Sequence, residues 1–147
     1  MFERLARSAV ECAASFPHLP MREQPLLNVG IVIVEDEYLL AEELRSKLTA
    51  AGAVVVDVVS NLPDGLASIE AHRDLQAVIL DVNLGGEPVF PLADRLLERG
   101  IPFLFTTGYD LSAIPPRFNE APRCQKPLNV VKLIQAIQQM TGASSHD

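Results

Sequence analysis

The run VGIVIV, residues 29–34, constrains the fold more than any other stretch of the chain. It is apolar at consecutive positions and rich in β-branched side chains, so both faces of the strand it forms must be covered. A strand covered on both faces belongs to a sheet held between helix layers. The following residues supply the first such helix: Leu40, Ala41, Leu44, Leu48 and Ala51 recur at helical spacing, Glu43 and Lys47 pair across one turn, and Gly52 ends it.

The alternation then repeats. AVVVDVV (53–59) reads as a second strand, followed by a helix capped by Ser60 or Asn61, with Pro63 in its first turn and Leu62, Leu66 and Ile69 on its apolar face. AVIL (77–80) reads as a third strand, and Val89, Leu92, Ala93, Leu96 and Leu97 as a helix stopped by Gly100. PFLFT (102–106) reads as a fourth strand, Arg123–Gln125 as a short fifth, and Val130, Leu133, Ile134 and Ile137 as the last helix. Strands alternating with helices predict an α/β fold, a doubly wound parallel (βα)5 sheet with right-handed crossovers. Prolines at 115, 116 and 122 leave little room for a helix between the fourth and fifth strands, so that element is expected to be short or irregular.

Residues 1–27 stand apart from this pattern. Phe2, Leu5, Ala9, Cys12, Ala13 and Phe16 fall near helical spacing before PHLPMREQP breaks it, which predicts a disordered leader or a weakly docked helix. The folded unit is expected over 28–141, with 142–147 as a tail. An apolar fraction of 48% against 21% charged residues marks a globular chain, and a net charge of −7 argues against nucleic acid as a partner. No apolar run is long enough to span a bilayer. Cys12 and Cys124 form no CxxC pair and are expected to stay reduced, in keeping with a cytoplasmic protein.

In doubly wound sheets the site lies beyond the carboxyl ends of the strands, where the winding reverses. Strand one ends in Glu35, Asp36 and Glu37, and strand three ends in Asp81. Alone, Asp81 could simply mark where the chain reaches water. With neighbouring acids it becomes a candidate nucleophile or metal ligand, because like charges at close range repel unless a cation joins them. Mg²⁺ suits such an all-oxygen set. Strand four delivers Thr106, Thr107 and Gly108, and strand five delivers Lys126 before Pro127. A hydroxyl and an ammonium facing a carboxylate and Mg²⁺ suit a phosphoryl group bound on the acid.

VEDE after strand one, LDVN after strand three, TTG after strand four and KP after strand five, in that order, resemble the receiver domains of two-component response regulators. The resemblance spans about 28–140 and implies a flavodoxin-like sheet of order 2-1-3-4-5. It implies that Asp81 is the phosphoacceptor, that Glu35 and Asp36 hold Mg²⁺ together with Asp81 and the backbone carbonyl of Asn83, that Thr107 is the switch hydroxyl, and that Lys126 senses the phosphate. It further implies a cis Lys126–Pro127 bond, which would help aim the lysine inward.

The implied phosphodonor is a sensor histidine kinase or phosphotransfer protein, and the implied output is contact with a further protein, with no nucleic acid and no membrane involved. The chain would then catalyse only its own phosphorylation and dephosphorylation. FTTGYD resembles the FATGUY subgroup, whose kinases are often of the HWE or related type. The position where the family places a switch aromatic is Arg123, which leaves open whether Tyr109 or Arg123 replaces it, and the segment Tyr109–Pro122 is expected to shift instead of a buried ring. Asn83 stands where a haloacid-dehalogenase phosphatase would want a second acid, and VEDE would repel the phosphate of a flavin carrier. The stronger rival is a degenerate receiver that docks without being phosphorylated.

Overall fold

The computed structural model describes residues 24–108 and 114–143. The expectations placed on residues 1–23, on Tyr109 and on 144–147 lie outside the described residues. The elements are β1 (Gly30–Val34), α1 (Tyr38–Ala50), β2 (Val54–Val59), α2 (Leu62–Ala71), β3 (Ala77–Asp81), a small hairpin of β4 (Asn83–Leu84) and β5 (Glu87–Pro88), α3 (Phe90–Arg99), β6 (Phe103–Thr107), β7 (Arg123–Gln125) and α4 (Val130–Thr141). The main sheet runs β2-β1-β3-β6-β7, every neighbouring pair parallel. With the hairpin set aside, this is the 2-1-3-4-5 order expected of the sequence.

Local chemistry fixes the helix ends. Asn61, rather than Ser60, caps α2: its Oδ1 accepts from the Asp64 N–H at 2.8 Å. Asn129 caps α4 in the same way through the Lys132 N–H at 3.0 Å. Gly100 ends α3 in the left-handed region at φ 70°. Between β6 and β7 the only helical turn among the described residues is the 3-10 turn Pro116–Phe118. It drives Phe118 into a cluster with Phe90, Phe103 and Phe105, ring centroids 5.6–6.2 Å apart across the Phe118 contacts to Phe103 and Phe105. One fully buried ring thus covers this part of the sheet.

Alternation along the strands sorts the core into two layers. Val32, Val34, Val78, Leu80, Phe103 and Phe105 face α2 and α3, while Ile31, Ile33, Ala77, Ile79 and Leu104 face α1 and α4. Leu97 lies in α3 as expected, 51% exposed at the margin of the buried stripe formed by Leu92, Ala93 and Leu96. One expectation needs correction: the folded unit begins before residue 28. Leu26 is fully buried with the α1 and α4 layer, its N–H bonded to the Ala51 carbonyl at 2.9 Å.

Candidate functional site

The strand parity that places Ile33, Ile79 and Leu104 on the α1 and α4 face carries Glu35, Asp81 and Thr106 to the same face two residues on. Thr107, one residue further, ends β6 as a buried residue at the same carboxyl edge. The sheet therefore brings acids from β1 and β3 side by side at its carboxyl edge. Carboxylate oxygens of Glu35, Asp36 and Asp81 lie within 4.8 Å of one another, with Glu35 and Asp81 buried and Asp36 exposed.

Lys126 reaches this cluster from β7. Its ammonium lies 3.0 Å from Asp81 Oδ2, 3.2 Å from Glu35 Oε1 and 3.5 Å from Glu37 Oε1. The Lys126–Pro127 peptide is cis. Burial alone would lower the lysine pKa, but the hydrogen bond and charge of Asp81, with Glu35 behind it, raise it above its ordinary value. Lys126 is thus held firmly as a cation.

Glu35 is the strained member of the group. Burial pushes its carboxyl from 4.5 up to about 7, and the neighbouring Asp81 charge adds to the rise. The Glu37 N–H, which donates to Glu35 Oε2 at 3.0 Å, and Lys126 pull the other way. Glu35 Oε1, although close to the ammonium, has no hydrogen bond of acceptable geometry. The hydroxyls of Thr106 and Thr107 are likewise buried, with no hydrogen-bond partner among the described residues.

Asn83 shapes the rim. Its N–H donates to Asp81 Oδ1 at 3.2 Å, and its side-chain oxygen accepts from the Gly86 N–H at 2.6 Å, closing the turn of the β4–β5 hairpin. Gly85 and Gly86 sit at φ 61° and 95°, where side chains would strain the turn. The result is an open crevice of about 350 Å³ lined by Asp36, Asp81, Asn83, Gly108 and Lys126. Arg123 takes no part in it: its Nη2 donates to the carbonyls of Phe118 and Ala121 at 2.9 and 3.3 Å, so its charge pins the 3-10 turn.

The sequence expectations placed Glu35, Asp36, Asp81, Asn83, Thr107 and Lys126 here, and the fold brings all of them to one edge. Glu37 joins through Lys126, a contact that follows from its position two residues after Glu35. These donors suit Mg²⁺: three hard oxygen ligands converge, and a buried carboxylate oxygen waits without a hydrogen bond.

No protein-family model and no curated protein sequence matches the chain. Solved structures do. SdrG from Sphingomonas melonis is 38% identical, the match covering 75% of this chain and 96% of that one at a TM-score of 0.65. SdrG from Pseudomonas melonis in its BeF3-activated conformation is 36% identical over 76% of this chain and 97% of that one, again at 0.65. The signal receiver domain of a modulated diguanylate cyclase from Desulfovibrio desulfuricans is 26% identical over 78% and 94%, at 0.70. With this sheet order, this row of acids and an ammonium set against Asp81, the chain belongs to the response-regulator receiver family.

Proposed function

We propose that this receiver accepts a phosphoryl group on Asp81 from the phosphohistidine of a sensor kinase or phosphotransfer protein, and signals through a phosphorylation-dependent contact with another protein. The observation that carries the reading is the Lys126 ammonium 3.0 Å from Asp81 Oδ2, where carboxylate oxygens of Glu35, Asp36 and Asp81 lie within 4.8 Å of one another. An Asp81 carboxylate oxygen attacks phosphorus, the donor's nitrogen leaves with the bonding pair, and an acyl phosphate results. Lys126 then turns from Asp81 to a phosphoryl oxygen and neutralises it. The Thr107 hydroxyl, buried without a partner, donates to another. Glu35, Asp36, Asp81 and the Asn83 backbone carbonyl would hold Mg²⁺, which supplies charge neutralisation for the transferring group.

The chain acts on no substrate beyond its own phosphorylation and dephosphorylation, and it works in the cytoplasm. Among the described residues no helix is long and apolar enough to cross a membrane, and the net charge of −7 disfavours nucleic acid. The FTTGYD stretch supports placing it in the FATGUY subgroup with a kinase of the HWE or related type.

Incubation with acetyl phosphate and Mg²⁺, followed by intact-mass measurement, tests the reading. It predicts a gain of one phosphoryl group that needs Mg²⁺ and is lost in base. No gain would favour the alternative, a degenerate receiver that docks without phosphorylation.

A further inference from the structure

Two adjacent threonines close β6, and both hydroxyls are buried without a hydrogen-bond partner among the described residues. Only Thr107 has a part in the reading above. Thr106 is the one in register with Asp81 across the β3–β6 pair, and with Cys124 across β6–β7. Strand parity puts it on Asp81's own face, as Leu104 shares the face of Ile79. In-register side chains on neighbouring strands stand about 5 Å apart, within reach of one hydrogen bond between a threonine and an aspartate.

Sheet order adds a second constraint. β6 lies between β3 and β7, so the Lys126 side chain passes over the carboxyl end of β6, just beyond Thr106, to bring its ammonium to Asp81. In this arrangement both Asp81 oxygens are engaged, Oδ2 by Lys126 and Oδ1 by the Asn83 N–H. Thr106 is left as a buried donor with nothing to donate to, a costly condition that a valine of the same shape would avoid.

We propose that Thr106 is a positioning residue for the acyl phosphate: when Lys126 turns to the phosphoryl group, the Thr106 hydroxyl donates to the carbonyl oxygen that Asp81 retains. The two threonines then divide the work. Thr107 serves the phosphoryl oxygens, and Thr106 fixes the aspartyl carbonyl beneath them. The hydrogen bond forms only in the phosphorylated state, so it adds to the preference for that state. This inference rests on Asp81 being the acceptor.

Beryllofluoride, a phosphoryl mimic that bonds to an aspartate oxygen, tests it on the full chain with Mg²⁺ present. Thr106→Val should bind beryllofluoride roughly tenfold more weakly than wild type, the loss expected of one buried hydrogen bond, while Thr106→Ser retains wild-type affinity. Without beryllofluoride, Thr106→Val should melt at or above the wild-type temperature. Equal affinity in Thr106→Val, or an unliganded valine variant that melts below wild type, overturns the inference and leaves Asp81 as acceptor untouched. If wild type itself takes up neither beryllofluoride nor a phosphoryl group, the acceptor assignment fails and Thr106 falls with it.

Discussion

At the amino ends of the strands Leu26 is fully buried and its N–H reaches the Ala51 carbonyl, while the Asn28 N–H reaches Gly52, both at 2.9 Å. At the carboxyl ends Glu35, Thr106 and Thr107 are buried almost as deeply, yet each leaves an oxygen without a hydrogen bond. One end closes the core with apolar surface and satisfied backbone. The other buries charge and hydroxyls whose hydrogen-bonding capacity is unused among the described residues. The contrast teaches that the fold draws its stability from the end remote from the crevice and gives some up around Asp81. Substitutions at the two ends should therefore change stability with opposite sign.

The largest expected effect lies at the closed end. Leu26→Ala removes a fully buried side chain from the α1 and α4 layer and should cost about 4 kcal/mol in urea or guanidinium unfolding. A cost below about 1 kcal/mol would mean that the turn before β1 is an ornament on the domain, and the comparison would break.

Glu35 gives the next effect, with the opposite sign. Its carboxyl sits at about 7 in the folded chain against an ordinary 4.5, so the native state holds the extra proton between those values. Stability should therefore fall as pH rises through that window, by on the order of 3 kcal/mol in the absence of Mg²⁺. Glu35→Gln should flatten this slope and leave the protein more stable than wild type at pH 8. An unfolding midpoint in wild type that rises between pH 5 and pH 7 would refute the burial penalty at this carboxyl. A Mg²⁺ ion held as proposed would need the ionised carboxylate, so its affinity should weaken as the pH drops below about 7.

Gly52 returns to the closed end with a smaller loss. It lies at φ 101°, and a Cβ there would come 2.8 Å from the Leu27 Cα, a backbone atom that cannot step aside. Gly52→Ala should cost about 2 kcal/mol, measured by thermal unfolding. A neutral result would show that the turn from Leu26 to Asn28 slides freely over the end of α1. Smallest is a change confined to the β6–β7 connection. Arg117, paired to Asp94 of α3 at 2.8 and 3.0 Å, ties the 3-10 turn to the helix beside it. Arg117→Ala should speed amide hydrogen exchange across 114–122 while leaving α3 unchanged. Faster exchange in α3 as well would show that the two segments open together.

Much of this contrast could be read from the sequence at one end only. The acids of VEDE and Asp81 announce themselves because charge directly after a β-branched run has no place except a strand tip. Leu26 could not be read in the same way, because it follows the prolines of PHLPMREQP and has no periodic neighbours. Its burial depends on α1 ending at Ala51 and Gly52, a contact across sequence. The buried Phe118 is hidden for a similar reason, since the prolines around it argue for a short or irregular element but do not say what covers the sheet. The register that pairs Thr106 with Asp81 is set by the parallel pairing of β3 with β6. Local pattern names the strands but does not set that register.

The central claim is that Asp81 carries the phosphoryl group. The most direct measurement is to phosphorylate the chain with acetyl phosphate and Mg²⁺, reduce the acyl phosphate with borohydride, and locate the modified residue by tandem mass spectrometry. The account predicts reduction to homoserine at Asp81 and at no other acid, with nothing trapped in Asp81→Asn. Homoserine elsewhere, or an Asp81→Asn chain trapped to the same extent as wild type, would contradict it.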